Sequence, residues 1–166
     1  YQQQVAGLVM ATVNAEGNKI LDFIDNDIPV VFIDNLPNID RQYDAVLIDN
    51  VYASRHAVEH LIRKGHRDIA VIIGSPNETT GHDRLLGYRS AMKDAGIQIN
   101  ENLIKYGDYK ERSGYSCMND LLKQRNNDPF SAVFVTSEMM TYGAIKSIRK
   151  HGLRFPEDIA LIGFDV

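Results

Sequence analysis

The sequence carries a single cysteine, Cys117, in 166 residues, which excludes an internal disulfide and suits a reducing compartment. No apolar run approaches the roughly 20 residues of a membrane-spanning helix, and the Tyr-Gln-Gln-Gln start has neither the basic nor the apolar region of a signal sequence. The chain does not open on methionine, so a segment upstream stays open. Positive charge is short as well: 18 Lys and Arg against 22 Asp and Glu leave a net charge of −4. Proteins that hold nucleic acid cluster cations to neutralise phosphates, and no such footprint is present. No Gly-x-Gly-x-x-Gly and no Gly-x-Ser-x-Gly occurs, which removes local support for dinucleotide binding and for an esterase elbow. The stretch GSPNETTG, 74–81, has the glycine and hydroxyl content of a phosphate loop. It lacks the Gly-Lys-Ser/Thr ending that supplies the lysine for phosphates and the hydroxyl for magnesium.

What is present is an alternation. Six short apolar runs rich in Val and Ile recur at Val5 to Ala11, Pro29 to Ile33, Ala45 to Ile48, Ile69 to Ile73, Ala132 to Val135 and Ile159 to Phe164, each of strand length. The last reads as a strand buried on both faces. Helical spacing fills most of the gaps: Ala53, Ala57, Val58, Leu61 and Ile62 share one face, and Met140, Ala144, Ile145 and Ile148 another. Leu85, Tyr88, Met92 and Ala95 form a third set and Tyr115, Met118, Leu121 and Leu122 a fourth. Gly65, Gly96 and Gly152 each follow a helical segment and are placed to stop it in the left-handed conformation. Asn50 is the expected cap of the helix beginning near Tyr52. Strand and helix in turn predict an α/β fold of parallel sheets with helices on both faces. Residues Asn35 to Asp44 read as an extended loop with the length to connect two lobes.

In such sheets ligands bind beyond the carboxyl ends of the strands. After the runs come Thr12, Asp34, Asp49, Gly74 with Ser75, Thr136 with Ser137 and Glu138, and Asp165. Acids and hydroxyls gathered there would make a polar rim over an apolar scaffold, although any one of them is equally suited to capping the next helix. A strand-end Asp34 or Asp49 could also accept a phosphoryl group, but no acidic magnesium cluster and no late lysine accompanies it. His56 and His60 in HAVEH match a short zinc pattern with no third ligand indicated, and the same helix buries Ala57 and Leu61. No metal and no cofactor is expected, and no nucleophile with its base predicts an enzyme.

Four linked motifs carry a resemblance. HLIRKGHRDIAVIIG at 60–74, DRLLGYRSAMKDAGI at 83–97, GDYKERSGY at 107–115 and GAIKSIRKHGLRFPEDIALIGFD at 143–165 follow one another as in the effector-binding core of the LacI/GalR family of transcriptional regulators. IPVVFIDN at 28–35 is similar to the preceding strand of its first lobe. The resemblance implies a periplasmic-binding-protein-like fold, with residues 1–49 as a partial first lobe and 50–166 as a nearly complete second lobe. It implies that the amino-terminal helix-turn-helix, the opening strands of lobe one and the returning carboxyl-terminal elements lie outside these residues, which correspond to about the middle half of a regulator. A small-molecule effector, a sugar or similar polar ligand, is expected in the cleft, with operator DNA held only through the missing helix-turn-helix, in a cytoplasmic homodimer with no membrane partner. A periplasmic sugar-binding protein of an uptake system is the alternative.

Residue by residue, the resemblance places Asp34, Arg84, Tyr109 and Asp165 at effector-contacting positions. Carboxylate, guanidinium and aromatic ring are the groups that hold a polyol: acceptors for its hydroxyls, a fixed fork of donors, and a cover for its C–H face. Ser137 and Glu138 stand where the family commonly has Asn-Asp, and are expected to adjust the ligand accepted. Lys110, Tyr115, Met139 and Tyr142 are placed at the dimer surface.

Overall fold

The structure, a computed structural model, describes residues 5–11, 28–37, 39–40 and 42–165. Thr12 lies outside the described residues. Among the described residues seven strands and four α-helices follow one another as β1 (Leu8–Met10), β2 (Val30–Ile33), β3 (Asp44–Val46), α1 (Asn50–Arg63), β4 (Ile69–Ile73), α2 (Thr79–Asp94), β5 (Ile104–Tyr106), α3 (Glu111–Gln124), β6 (Ala132–Val135), α4 (Glu138–Lys150) and β7 (Ala160–Gly163). A short 3₁₀ turn, Glu101–Leu103, leads into β5.

Every pairing is parallel. One sheet has the order β1-β2-β3, with Leu8 opposite Val30 and Val31 opposite Asp44. The other has the order β5-β4-β6-β7, with Ile69 opposite Ala132 and Ala132 opposite Ala160. In the second sheet alternate residues point to opposite faces. Ala70, Ile72, Val133 and Val135 pack on Met118 and Leu121 of α3 and on Met140, Ala144 and Ile148 of α4. Ile69, Val71, Ile73, Ala132 and Phe134 pack on Val58 and Leu61 of α1 and on Tyr88, Ala91 and Met92 of α2. Helices therefore cover both faces, as the alternation predicts, and β4 and β6 are buried along their whole length. Tyr88 enters this core because its hydroxyl donates to the Ile69 carbonyl at 2.8 Å, and burial pushes its phenol pKa up. The α3–α4 crossing is so close that a Cβ on Gly143 would run into the Glu111 carbonyl oxygen.

Several expectations are corrected. The run at 159–164 forms an edge strand, β7, whose residues are each half-buried, not a strand sealed on both faces. β5 was not expected: three residues with Lys105 in the middle make too short an apolar signal, and the strand forms because it borders β4. The loop after β2 returns to β3 in the same sheet, and the chain passes between sheets through Leu47–Asp49 into α1. The cap of α1 is Asp49, whose Oδ1 accepts from the Tyr52 amide at 2.9 Å. Asn50 is instead the first helical residue and is buried. Gly65, Gly96 and Gly152 do stop their helices at φ of 96°, 67° and 72°.

Candidate functional site

Strands in a parallel sheet end on the same side, and their exits converge there. Among the described residues the non-glycine residues with positive φ are Asp34 at 67°, Tyr109 at 63° and Asp165 at 63°. Each stands just past the end of a strand: β2, β5 and β7 respectively. Left-handed backbone is strained for side chains with a Cβ, most of all for a bulky one such as tyrosine, and strain of this kind concentrates at functional sites. All are candidates from the sequence.

Arg84, with 3% of its surface exposed, pairs with one of them, Asp165. Thr80, Arg84 and Tyr88 recur every four residues on the buried side of α2. Nε of Arg84 donates to Asn50 Oδ1 at 2.8 Å, and Nη1 donates to the Thr136 carbonyl at 2.8 Å and to Asp165 Oδ2 at 3.3 Å. Its guanidinium lies 3.8 Å from the centre of the Phe164 ring. A buried guanidinium is tolerated only when its donors are met, and here β6, β7 and α1 each meet one. Nη2 makes no hydrogen bond among the described residues. Arg84 is thus both a keystone of the second sheet and a candidate contact, where the sequence suggested only the contact.

Tyr109 is held from below. Its ring lies over Gly74, where any Cβ would collide with it, and its hydroxyl is 3.2 Å from Thr80 Oγ1. Burial, first, raises its pKa; Thr80 and Arg84 oppose the rise, and Glu78 and Asp34 add to it. Glu78 responds to the same neighbours. Burial, the largest influence, lifts its carboxyl above the ordinary range, the Tyr109 hydroxyl opposes, and Asp34 lifts it further. Tyr109 and Glu78 thus each feel the other and Asp34.

Asn35 joins the two sheets. Its Oδ1 accepts from Thr79 Oγ1 and from the Thr80 amide, both at 3.1 Å, and its Nδ2 donates to Glu78 Oε2 at 3.4 Å. The Leu36 amide donates to Thr79 Oγ1 at 3.1 Å. Helix α2 has no side-chain cap of its own, so a residue more than forty positions earlier caps it. Sequence reasoning did not single out Asn35, Glu78 or Thr80, and it read Asn50 only as a helix cap. The one available signal was the hydroxyl-rich GSPNETTG loop, read there only as a failed phosphate loop.

Ser137 and Glu138 make their contacts within the start of α4. Ser137 Oγ accepts from the Met140 amide at 3.3 Å as the helix cap, and Glu138 Oε1 accepts from the Tyr142 hydroxyl at 3.0 Å. The residues placed at a dimer surface lie on α3 and α4 or at their starts. Met139 and Tyr142 are 46% and 41% exposed while Met140 is fully buried. Lys110 is exposed and pairs with Asp108. Tyr115 is half-buried, with the Lys150 ammonium 5.8 Å from its ring. His56 stacks on Tyr52 at 5.7 Å. Cys117 packs in α3 with Sγ directed at the Tyr106 carbonyl. Among the described residues no cluster of metal-ligating side chains forms and no helix is long and apolar enough to cross a membrane.

Residues 58–166 match the model of the periplasmic binding protein-like domain. The chain belongs to that family. It is 40% identical over 126 residues, 76% of this chain and 36% of the other, to the HTH-type transcriptional regulator CelR of Thermobifida fusca. It is 36% identical to the HTH-type transcriptional repressor PurR of Klebsiella pneumoniae over 99% of this chain and 48% of that one. The chain thus spans about half the length of the curated relatives it matches, or less. Among solved structures, the complex of the transcriptional regulator CelR with cellobiose superposes with a TM-score of 0.89 at 34% identity, over 99% of this chain and 50% of that one. The periplasmic-binding-protein-like parallel architecture expected from the sequence is that of these LacI-type relatives.

Proposed function

We propose that this chain is the effector-sensing core of a LacI-type transcriptional regulator, binding a sugar or similar small polar ligand between its two sheets. The observation that carries the reading is the ring of left-handed residues at strand exits. Asp34 comes from one sheet and Tyr109 and Asp165 from the other, and Asp165 pairs with Arg84. In this reading residues 1–49 belong to the first lobe and 50–166 to the second. Asp34 accepts from ligand hydroxyls, Arg84 Nη2 donates, Tyr109 covers a sugar face, and Ser137 and Glu138 border the site. The relatives are regulators, one of them solved with cellobiose, which supports a sugar over other small polar ligands. Operator DNA is bound by a helix-turn-helix beyond these residues, in keeping with a net charge of −4, and the work is done in the cytoplasm. Two copies pair through Lys110, Tyr115, Met139 and Tyr142, where exposed Met139 and Tyr142 leave apolar area to cover.

Full-length protein is the material for the test. Calorimetry against a panel of neutral mono- and disaccharides, with operator affinity measured beside it, is expected to find one sugar that binds and shifts DNA affinity. A panel with no binder and no effect on DNA would reject the reading. Light scattering is expected to show a dimer that Met139→Asp with Tyr142→Asp converts to monomer; a wild-type monomer would reject the pairing.

A further inference from the structure

Resting on the effector reading above, we infer that the cleft takes an uncharged polyol and rejects its phosphorylated counterpart. Two independent features carry this.

The first is charge. Directly after the strands, the described residues supply Asp34, Asp49, Asp108, Glu138 and Asp165 as acids. Among the described residues there, Lys110 is the one cation, and it is exposed and paired with Asp108. Glu78 adds a carboxylate at the start of α2. The cation inside the site, Arg84, already faces Asp165 and spends its Nε and Nη1 on protein oxygens. Among the described residues a phosphoryl group would therefore meet carboxylates and no unpaired cation, and like charges placed together cost affinity steeply.

The second is the state of the helix ends. In a parallel sheet with crossover helices every helix begins where the strands end, and a helix start with free amides is a ready anion site. Among the described helices, side-chain oxygens answer the starts of α1, α2 and α4, while α3, which has no side-chain cap, carries an acid in its first turn. Asp49 caps α1, Asn35 reaches across from the other sheet to cap α2, and Ser137 caps α4. At α3, Asp108 Oδ1 accepts from the Lys110 amide and Glu111 occupies the first turn. Glu78 stands at the α2 start, where a phosphate would need to approach. A neutral hydroxyl ligand needs none of these amides, since carboxylates accept from it and Arg84 Nη2 donates to it.

The test is calorimetry of the full-length protein with neutral mono- and disaccharides, cellobiose among them, each beside its phosphate monoester at a primary hydroxyl. The sugar that binds is expected to do so about 100-fold more tightly than its monoester. Glu78→Gln should narrow that gap to about tenfold, and raising the salt concentration should narrow it further. A monoester that binds as tightly as its parent sugar overturns the inference and leaves the effector reading standing. A gap that Glu78→Gln does not change overturns the role given to Glu78. If no sugar and no monoester binds, the effector reading falls and this inference with it.

Discussion

Val133 in β6 and Val9 in β1 are the same residue in strands of parallel sheets, yet the first is sealed and the second is 71% exposed. The contrast runs through both sheets. β4 and β6 are buried end to end between helices on either face. In β1 to β3 Phe32 alone reaches full burial, and Val46, Leu47 and Ile48 each expose half or more of their surface. Among the described residues the buried core therefore lies in the second sheet and its helices. The first sheet contributes geometry: it brings Asp34 and Asn35 to the start of α2.

The largest effect that would break this contrast is a cavity in the sealed sheet. Phe134 is fully buried against α1 and α2, and Phe134→Ala should cost about 3 to 5 kcal/mol. Val46→Ala should change stability by less than about 0.5 kcal/mol. Urea melts of the two variants check the pair, and similar losses from both would erase the distinction.

Arg84 sharpens the contrast next, because it belongs to the sealed sheet and to the cleft together. Arg84→Ala strands Asn50, the Thr136 carbonyl and Asp165 without their donor. It should cost about 2 to 4 kcal/mol of stability and about 2 to 5 kcal/mol of ligand binding in the full-length protein. Asp165→Ala, with half of its side chain exposed, should cost less stability and a comparable share of binding. A melt beside a titration separates them; an Arg84→Ala protein as stable as the wild type would show that the guanidinium serves the ligand alone.

The two sealed strands, β4 and β6, were legible in the sequence residue for residue. Ile69 to Ile73 and Ala132 to Val135 are uninterrupted apolar runs because both faces are covered, and burial on both faces leaves that mark on composition. β5 left no such mark, since Lys105 divides its apolar residues. The site was legible in part: Asp34, Tyr109 and Asp165 follow strands, and a strand exit can be read from the pattern. Their left-handed backbone could not be read, because no glycine marks it. Nor could the burial of Arg84 or the reach of Asn35 to Thr80, which depend on partners distant in sequence. Asp49 and Asn50 show the limit at short range, where two adjacent capping residues are equally apt until one is needed elsewhere.

A smaller effect concerns the bridge between the sheets. Asn35→Ala leaves the Thr80 amide without its acceptor, the loss of a helix cap, at about 1 kcal/mol. Because the cap comes from the other sheet, amide exchange at the start of α2 should quicken while β4 and β6 keep their protection. Uniform quickening throughout would mean that the two sheets open as one unit.

The smallest effect is a pH dependence at Glu78, and its sign follows from linkage. Burial and the nearby Asp34 hold the folded-state pKa above the ordinary carboxylate value, so the folded protein binds the Glu78 proton more tightly than the unfolded chain does. Such a group stabilises the fold at low pH, and that contribution is lost as pH rises from the unfolded value through the raised one. Glu78→Gln stays neutral throughout. It should be slightly more stable than the wild type at neutral pH, by less than about 1 kcal/mol after screening by the nearby solvent, with the advantage fading as pH falls to about 4, the ordinary carboxylate range. The weak bond from Asn35 Nδ2, at 3.4 Å, acts in the opposite direction by favouring the carboxylate. Thermal melts of both proteins from neutral to acid pH decide between them. A variant less stable than the wild type at neutral pH, recovering in acid, would show that the bond across the two sheets outweighs the burial of the charge.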